Sequence, residues 1–354
     1  MTDEALLARL PELLLPWFAE NRRALPWRAD REPYHIWLSE IMLQQTRVEA
    51  VRDYYLRFLQ ALPTVEALAA APEQQLLKLW EGLGYYTRVR NLQRAAQEIV
   101  RRGAFPQDYD GVRSLPGVGA YTAGAICSIC FELPTAAVDG NVLRVYSRYL
   151  ASDAPIGAEK TKQQVADRLS AVYPAGHCGD FTQALMELGA TVCLPNGAPL
   201  CSHCPLAGLC RAKAQEQQFS YPVRAKKRPR RVEERTVLLL RCGERLAVCK
   251  RPETGLLAGL WQLPDAEGTL SAQQALELAA RWQTHPTAIE RTVHKRHIFT
   301  HVEWNMTGVW LQCAAMPERF FWFTPPELRQ SIGLPTAYRQ FLDDILKEDN
   351  NHGR

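Results

Sequence analysis

Four cysteines fall within eighteen residues, Cys193, Cys201, Cys204 and Cys210, in the pattern Cys-x7-Cys-x2-Cys-x5-Cys. Thiolates this close can hold Zn²⁺ or an iron–sulfur cluster. Structural zinc sites more often pair two Cys-x2-Cys units. One such unit with a single cysteine on either side favours [4Fe–4S]. Two carboxylates also stand in positions where chemistry is possible. Glu40 lies in Trp37-Leu38-Ser39-Glu40-Ile41-Met42-Leu43-Gln44-Gln45-Thr46, where a helix sets it beside Ile36, Trp37 and Leu43. A carboxyl on an apolar face is desolvated, keeps its proton near neutral pH and can act as a general acid. The competing reading is a Glu at the edge of the stripe that reaches water. Asp139, in Ala137-Val138-Asp139-Gly140-Asn141-Val142, sits at the mouth of a helix, where a lone Asp is also an ordinary N-cap.

The third feature is Leu115-Pro116-Gly117-Val118-Gly119 ahead of an apolar helix from Ala120 to Cys130. Two glycines in a tight turn let a backbone approach a ligand, and the new helix aims its N–H groups and positive dipole end outward. Such a turn suits a phosphate. It resembles the helix-hairpin-helix of DNA-binding proteins, which grips the backbone without reading bases. The alternative is a plain helix–helix connection.

The elements that must position these groups divide at a change of texture. Residues 1 to about 215 read as helical, with apolar positions at helical spacing from Pro33 to Leu59, Glu73 to Trp80 and Arg88 to Val100, and no period-2 segment. Residues 216–235 read as a polar, basic linker. Nine Lys/Arg against three Glu between Arg211 and Arg235 exceed the net +4 of the whole chain, a block suited to phosphates or to a solvated tether. Beyond it, Thr236–Leu240 and Leu246–Lys250 flank Cys242-Gly243-Glu244 as a hairpin. Ser271 and Gln274 are spaced as a capping box for a helix to Trp282. Val302, Trp304, Met306 and Trp310 mark a strand, and Ala337–Lys347 a last helix before a polar tail, 348–354.

Composition bounds the rest. With 354 residues and 47% apolar residues, two or three domains with real cores are expected. No run of about 18 apolar residues exists, so no membrane span is expected. The acidic start, Met1-Thr2-Asp3-Glu4-Ala5, lacks the layout of a signal or transit peptide. A cytoplasmic protein is therefore expected, nucleoid-associated and of bacterial type if the hairpin grips DNA. That expectation also argues against a disulfide framework for the ten cysteines, of which Cys127 and Cys130 read as core residues.

Helix-hairpin-helix, then a Gly/Pro loop, then Asp is the arrangement of a superfamily of DNA glycosylases. Within it the chain resembles the MutY-type adenine glycosylases over nearly its full length. The matching pieces are Leu25-Pro26-Trp27-Arg28, Trp37-Leu38-Ser39-Glu40, Met42-Leu43-Gln44-Gln45-Thr46, Gly82-Leu83-Gly84-Tyr85-Tyr86, Leu115-Pro116-Gly117-Val118-Gly119, Val138-Asp139-Gly140-Asn141-Val142, Met186-Glu187-Leu188-Gly189-Ala190 and the cysteines.

The resemblance implies a multi-domain protein. An all-α helix-hairpin-helix catalytic region, 1–215, has a six-helix barrel at about 28–137, with 1–27 and 138–215 forming an iron–sulfur cluster domain. An α+β, Nudix-like (MutT-like) domain follows at 236–347. It implies a monofunctional hydrolase that removes adenine opposite 8-oxoguanine or guanine in double-stranded DNA by flipping the base out. Glu40 would protonate N7, Asp139 would stabilise the oxocarbenium ion, and Tyr121 and Asn141 would position these two and the water. Trp27, Arg28 and Glu187 would line the adenine pocket. Gln45 and Tyr85 would form the wedge that enters the duplex. Leu115, Gly117, Val118 and Gly119 would hold a phosphate, and the four cysteines a [4Fe–4S] cluster. A monomer is expected, and no protein partner is legible.

Two departures from the family pattern stand out. The first cysteine gap, Leu194 to Leu200, is one residue longer than usual. The loop that reads the oxidised base usually carries Phe-Ser-His and here is Phe299-Thr300-His301, which keeps the hydroxyl; without the family the triplet reads as a strand start. The helix from Ser271 carries a single acid, Glu277, too few for a Nudix hydrolase's Mg²⁺, so the domain reads as a recognition module. Two other functions compete. A glycosylase/lyase of the endonuclease III type needs a lysine where Tyr121 stands, and there is none between Lys78 and Lys160. A non-catalytic DNA-binding protein would have lost Glu40 or Asp139.

Overall fold

The computed structural model describes residues 1–224 and 229–343. These fall into two compact units. In the first, Met1–Ala71 with Arg90–Lys226, the described residues contain helices and no strand. Its helices are α1 (Asp3–Leu7), α2 (Leu10–Asn21), α3 (Pro33–Leu43), α4 (Val48–Ala61) and α5 (Val65–Ala70). After α6 (Glu73–Leu79), which groups with the second unit, come α7 (Thr87–Arg102), α8 (Tyr109–Arg113), α9 (Ala120–Phe131), α10 (Gly140–Leu150), α11 (Glu159–Ser170), α12 (Cys178–Thr191) and α13 (Arg211–Ala214).

Helix α3 is buried almost all round, from Tyr34 to Met42, as expected of a helix apolar on every face. It packs on α9, and α12 packs on α2, α9 and α10. The run Pro33–Leu59 is therefore two helices rather than one. Gln45 takes a left-handed backbone, φ 59°, and the Thr46 N–H turns back to the Leu43 carbonyl at 3.2 Å. No glycine or proline marks this break.

The second unit joins Pro72–Val89 to the described residues after the linker. Its sheet has seven strands: β1 (Arg231–Cys242), β2 (Arg245–Lys250), β3 (Trp261–Gln262), β4 (Asp265–Glu267), β5 (Pro286–Ile298), β6 (Val302–Cys313) and β7 (Phe321–Phe323). The order is β3-β2-β1-β6-β5, with β4 on β1 and β7 on β2. Strands β1 and β6 run parallel, Arg231 opposite Val302 through Arg241 opposite Gln312. The helices are α14 (Ala272–Arg281), α15 (Pro325–Ser331) and α16 (Thr336–Arg339). The capping box of Ser271 and Gln274 is present.

Three expectations need correction. Strand β1 begins at Arg231, so Arg231–Arg235 of the expected linker pair in the sheet. Residues Pro72–Val89 belong with the sheet: Lys78 Nζ donates to the Ile332 carbonyl at 3.4 Å, and the Leu334 N–H donates to Glu81 Oε1 at 3.1 Å. The expected last helix, Ala337–Lys347, is interrupted: among the described residues α16 ends at Arg339, 340–342 form a turn and Asp343 is again helical. Residues 344–347, the tail 348–354 and the linker residues 225–228 lie outside the described residues.

Candidate active site

Glu40 and Asp139 come from different helices to one hollow. Glu40, on the last turns of buried α3, is 6% exposed. Asp139 caps α10: its Oδ1 accepts from the Val142 N–H at 2.7 Å and its Oδ2 from Asn141 Nδ2 at 2.7 Å. The cap reading was therefore right without excluding the other. The hollow holds about 730 Å³, and its lining includes Trp27, Arg28, Glu40, Gln45, Tyr121, Asp139, Asn141 and Glu187. Eight residues singled out from sequence thus share one cavity, as expected of a small-molecule or base pocket.

Burial acts on all three carboxyls of the cavity, and their partners decide the direction each one shifts. Burial pushes the Glu40 carboxyl up to about 7, and the nearby Asp139 charge adds to this against the opposing Tyr121 hydroxyl and Arg28. The Tyr121 hydroxyl donates to Glu40 Oε2, with Met186 Sδ 4.0 Å away. Burial also raises Asp139, although the Val142 and Asn141 bonds counter it. Glu187 is fully buried between two cations. Arg23 grips it at 2.7 and 3.0 Å, and Arg28 at 2.8 Å. Burial alone would raise this carboxyl, but the two guanidiniums outweigh it and hold it below its ordinary value. Glu187 is a buried anion that fixes Arg28 at the cavity wall.

Two arginines were missed in sequence. Arg23 stands outside the quoted motifs. Arg144, buried on α10, donates to Asn141 Oδ1 at 2.7 Å, to the Gly189 carbonyl at 2.6 Å and to the Cys193 carbonyl at 2.6 Å. Gly189 explains itself by the same crossing, since a Cβ there would lie 2.5 Å from Asn141 Cβ.

The hairpin follows α8 and leads into α9. Gly117 has φ +77°, and a Cβ on it would meet Asn91 Cβ at 2.6 Å, so only glycine fits. Gly117 and Gly119 are exposed. Leu115 and Val118 have buried side chains, and their N–H groups bond the Val112 and Leu115 carbonyls at 3.2 and 3.1 Å.

Cys193, Cys201, Cys204 and Cys210 line one small pocket together with Arg148 and Lys213. The longer first gap is taken up by a loop that the Leu200 N–H closes onto the Val192 carbonyl at 2.9 Å, which returns Cys201 toward Cys193. Arg148 is buried and donates to Cys193 Sγ at 3.3 Å and to the Leu194 carbonyl at 2.9 Å. A four-sulfur pocket faced by a buried guanidinium fits an anionic thiolate-bound group. Among the described residues no group of three His, Cys, Asp or Glu side chains is placed to hold a single metal ion.

Tyr85, Phe299, Thr300 and His301 belong to the second unit. The triplet forms the tip of the β5–β6 hairpin rather than a strand start. Phe299 anchors it, with its ring 4.9 Å from that of Trp304, and leaves Thr300 and His301 exposed. The Thr300 hydroxyl meets the Tyr85 hydroxyl, so the expected reader and half of the expected wedge touch. Tyr85 is 49% exposed and, like Gln45, left-handed, φ 49°.

Comparison with known proteins gives two family matches: HhH-GPD superfamily base excision DNA repair protein over residues 38–171, and NUDIX domain over residues 236–344. The adenine DNA glycosylase of Mus musculus is 38% identical over 368 residues, covering 85% of this chain and 70% of that protein. That of Homo sapiens is 34% identical, covering 92% and 72%. That of Buchnera aphidicola subsp. Baizongia pistaciae is 30% identical, covering 96% and 98%. Among solved structures, a thermostable thymine-DNA glycosylase superposes with a TM-score of 0.54 at 27% identity, over 60% of this chain and 97% of that one. A trapped endonuclease III–DNA covalent intermediate does so at 0.52 and 24% identity, over 61% and 99%, a likeness of fold.

Proposed function

Because the chain belongs to the adenine DNA glycosylase family, we propose that it hydrolyses the N-glycosidic bond of adenine opposite 8-oxoguanine or guanine in duplex DNA. The observation that carries this is the pairing of two carboxyls in one cavity: a buried Glu40 poised near neutral pH, and an Asp139 held by a helix cap. Adenine leaves well only when N7 is protonated. Glu40 carries that proton, and Tyr121 orients its carboxyl. As the C1′–N9 bond breaks, positive charge grows on the sugar. Asp139, steadied by Val142 and Asn141, stands where a carboxylate can stabilise it, and water then adds at C1′. Trp27 and Arg28 hold the base, and the wedge that enters the duplex is assigned to Gln45 and Tyr85 from their matched motifs.

Tyr121 stands where a lyase of this superfamily carries its lysine, so no Schiff base forms at that position and the enzyme is read as monofunctional. A duplex with one 8-oxoguanine·adenine pair tests this. Strand breakage should require alkali after incubation, whereas spontaneous breakage would mark a lyase.

The four cysteines would hold a [4Fe–4S] cluster, which when bound ties residues 193 to 210 into one fold. The chain's own part is to close that loop with Arg144 and Arg148. Preparations made without oxygen should contain about four irons per chain, as that cluster implies; one zinc and no iron would refute the cluster.

Selection for 8-oxoguanine is assigned to Thr300 and His301. A hydrogen bond lost in a desolvated site costs ~1–3 kcal/mol, or roughly 5- to 150-fold. Thr300→Ala with His301→Ala should therefore lower the preference for 8-oxoguanine over guanine by roughly fivefold or more, with the rate on the guanine mispair falling less. Equal preference in variant and wild type, from single-turnover rates on both duplexes, would place the reader elsewhere. Point changes are a cleaner probe than truncation, since Pro72–Val89 pack with the sheet.

A further inference from the structure

A second hollow of about 740 Å³ adjoins the catalytic cavity. It runs from Gly117 and Gly119 of the hairpin to Tyr121, Asp139 and Gly140, so the two hollows share a rim. Lys162 of α11 lines both. Its ammonium makes an exposed ion pair with Glu159 at 3.1 Å, one turn back on the helix, with side chains 41% and 84% exposed. Such a pair contributes little and yields readily to a better anion. The other cations of the cavity, Arg23 and Arg28, are engaged with buried Glu187.

If adenine enters the first hollow, as the proposed function holds, the chain of DNA that carries it must continue across the rim toward the hairpin. We propose that Lys162 is the phosphate clamp of the flipped nucleotide, its ammonium taking a phosphate that flanks the target adenine. The rim needs a cation there. Asp139 lies in the same hollow, and a phosphodiester drawn toward its carboxylate meets repulsion that an ammonium offsets. A point charge on the backbone reads no base. Lys162 thus acts on how firmly the extrahelical nucleotide is held, while the bond is broken by the carboxyls.

The test is salt-dependent binding to a duplex with one adenine opposite 8-oxoguanine, in a Glu40→Gln background so that no base is lost. Lys162→Met should raise Kd roughly two- to tenfold and make the slope of log K against log salt shallower by about 1, and Lys162→Arg should restore both. A neutral methylphosphonate in place of one flanking phosphate should weaken the Lys162 protein and leave the Lys162→Met protein unaffected. Equal slopes, or equal methylphosphonate losses in the two proteins, would overturn the clamp. So would a borohydride-trapped adduct that disappears with Lys162→Met in the catalytically intact protein, which would make Lys162 a nucleophile. If the otherwise wild-type protein releases no adenine, the glycosylase reading fails, and the salt slope still decides the role of Lys162.

Discussion

Glu40→Gln is expected to remove base excision while duplex binding survives. Gln keeps the shape and can still accept from Tyr121, but it has no carboxyl proton to give. Loss of a general acid costs typically ~10²–10⁴-fold, and a leaving group that depends on protonation puts the effect at the upper end. A variant within a few-fold of wild type in single turnover would end the assignment. The pH dependence follows from the same group. With its carboxyl at about 7, the protonated fraction falls as pH rises through neutrality, so excision should slow across that range. Stability should move with it. The folded state holds this proton more tightly than the unfolded chain, so wild-type stability declines as pH rises from about 4.5 to about 7. The loss is at most about 3 kcal/mol. Glu40→Gln abolishes that decline and should unfold at higher denaturant than wild type above pH 7, with the difference vanishing near pH 4. An inactive variant that gains stability is what a functional carboxyl in an apolar wall predicts.

Asp139→Asn is expected to separate the two duties of that residue. Asn caps a helix about as well as Asp, so the Val142 bond and the fold should persist, with unfolding within about 1 kcal/mol of wild type. What disappears is the carboxylate that the proposed mechanism sets against the sugar. Removing one preorganised electrostatic partner of a transition state costs ~10²–10³-fold. A fall of that size with an unchanged melting curve identifies Asp139 as a catalytic group. Full activity in Asp139→Asn would reduce it to a cap.

Much of this site was legible because its chemistry sits in short motifs. Glu40, Tyr121, Asp139 and Asn141 lie on the local patterns that place them, and the helical period brought Glu40 to an apolar face. Arg23 and Arg144 were not legible, since their meaning comes from partners far along the chain: Glu187 is 164 residues from Arg23, and Gly189 is 45 from Arg144. Strand β5 escaped because it is largely exposed and its charges mask alternation. The start of β1 hid in the basic run for the same reason. The grouping of Pro72–Val89 with the sheet rests on single bonds such as Lys78 to Ile332, which no periodicity encodes.

Gln45 and Tyr85, the proposed wedge, hold backbone angles that glycine would adopt without strain. Each such residue costs about 1–2 kcal/mol over a right-handed conformation. A lineage drifting under demand for thermal robustness alone would therefore fix glycine at both positions. On the wedge reading, the glutamine and the tyrosine retained there set duplex opening against that gain. Thermostabilised descendants of this chain should accordingly be checked first for their ability to find a mispair, because that capacity would erode while Glu40 and Asp139 stayed untouched.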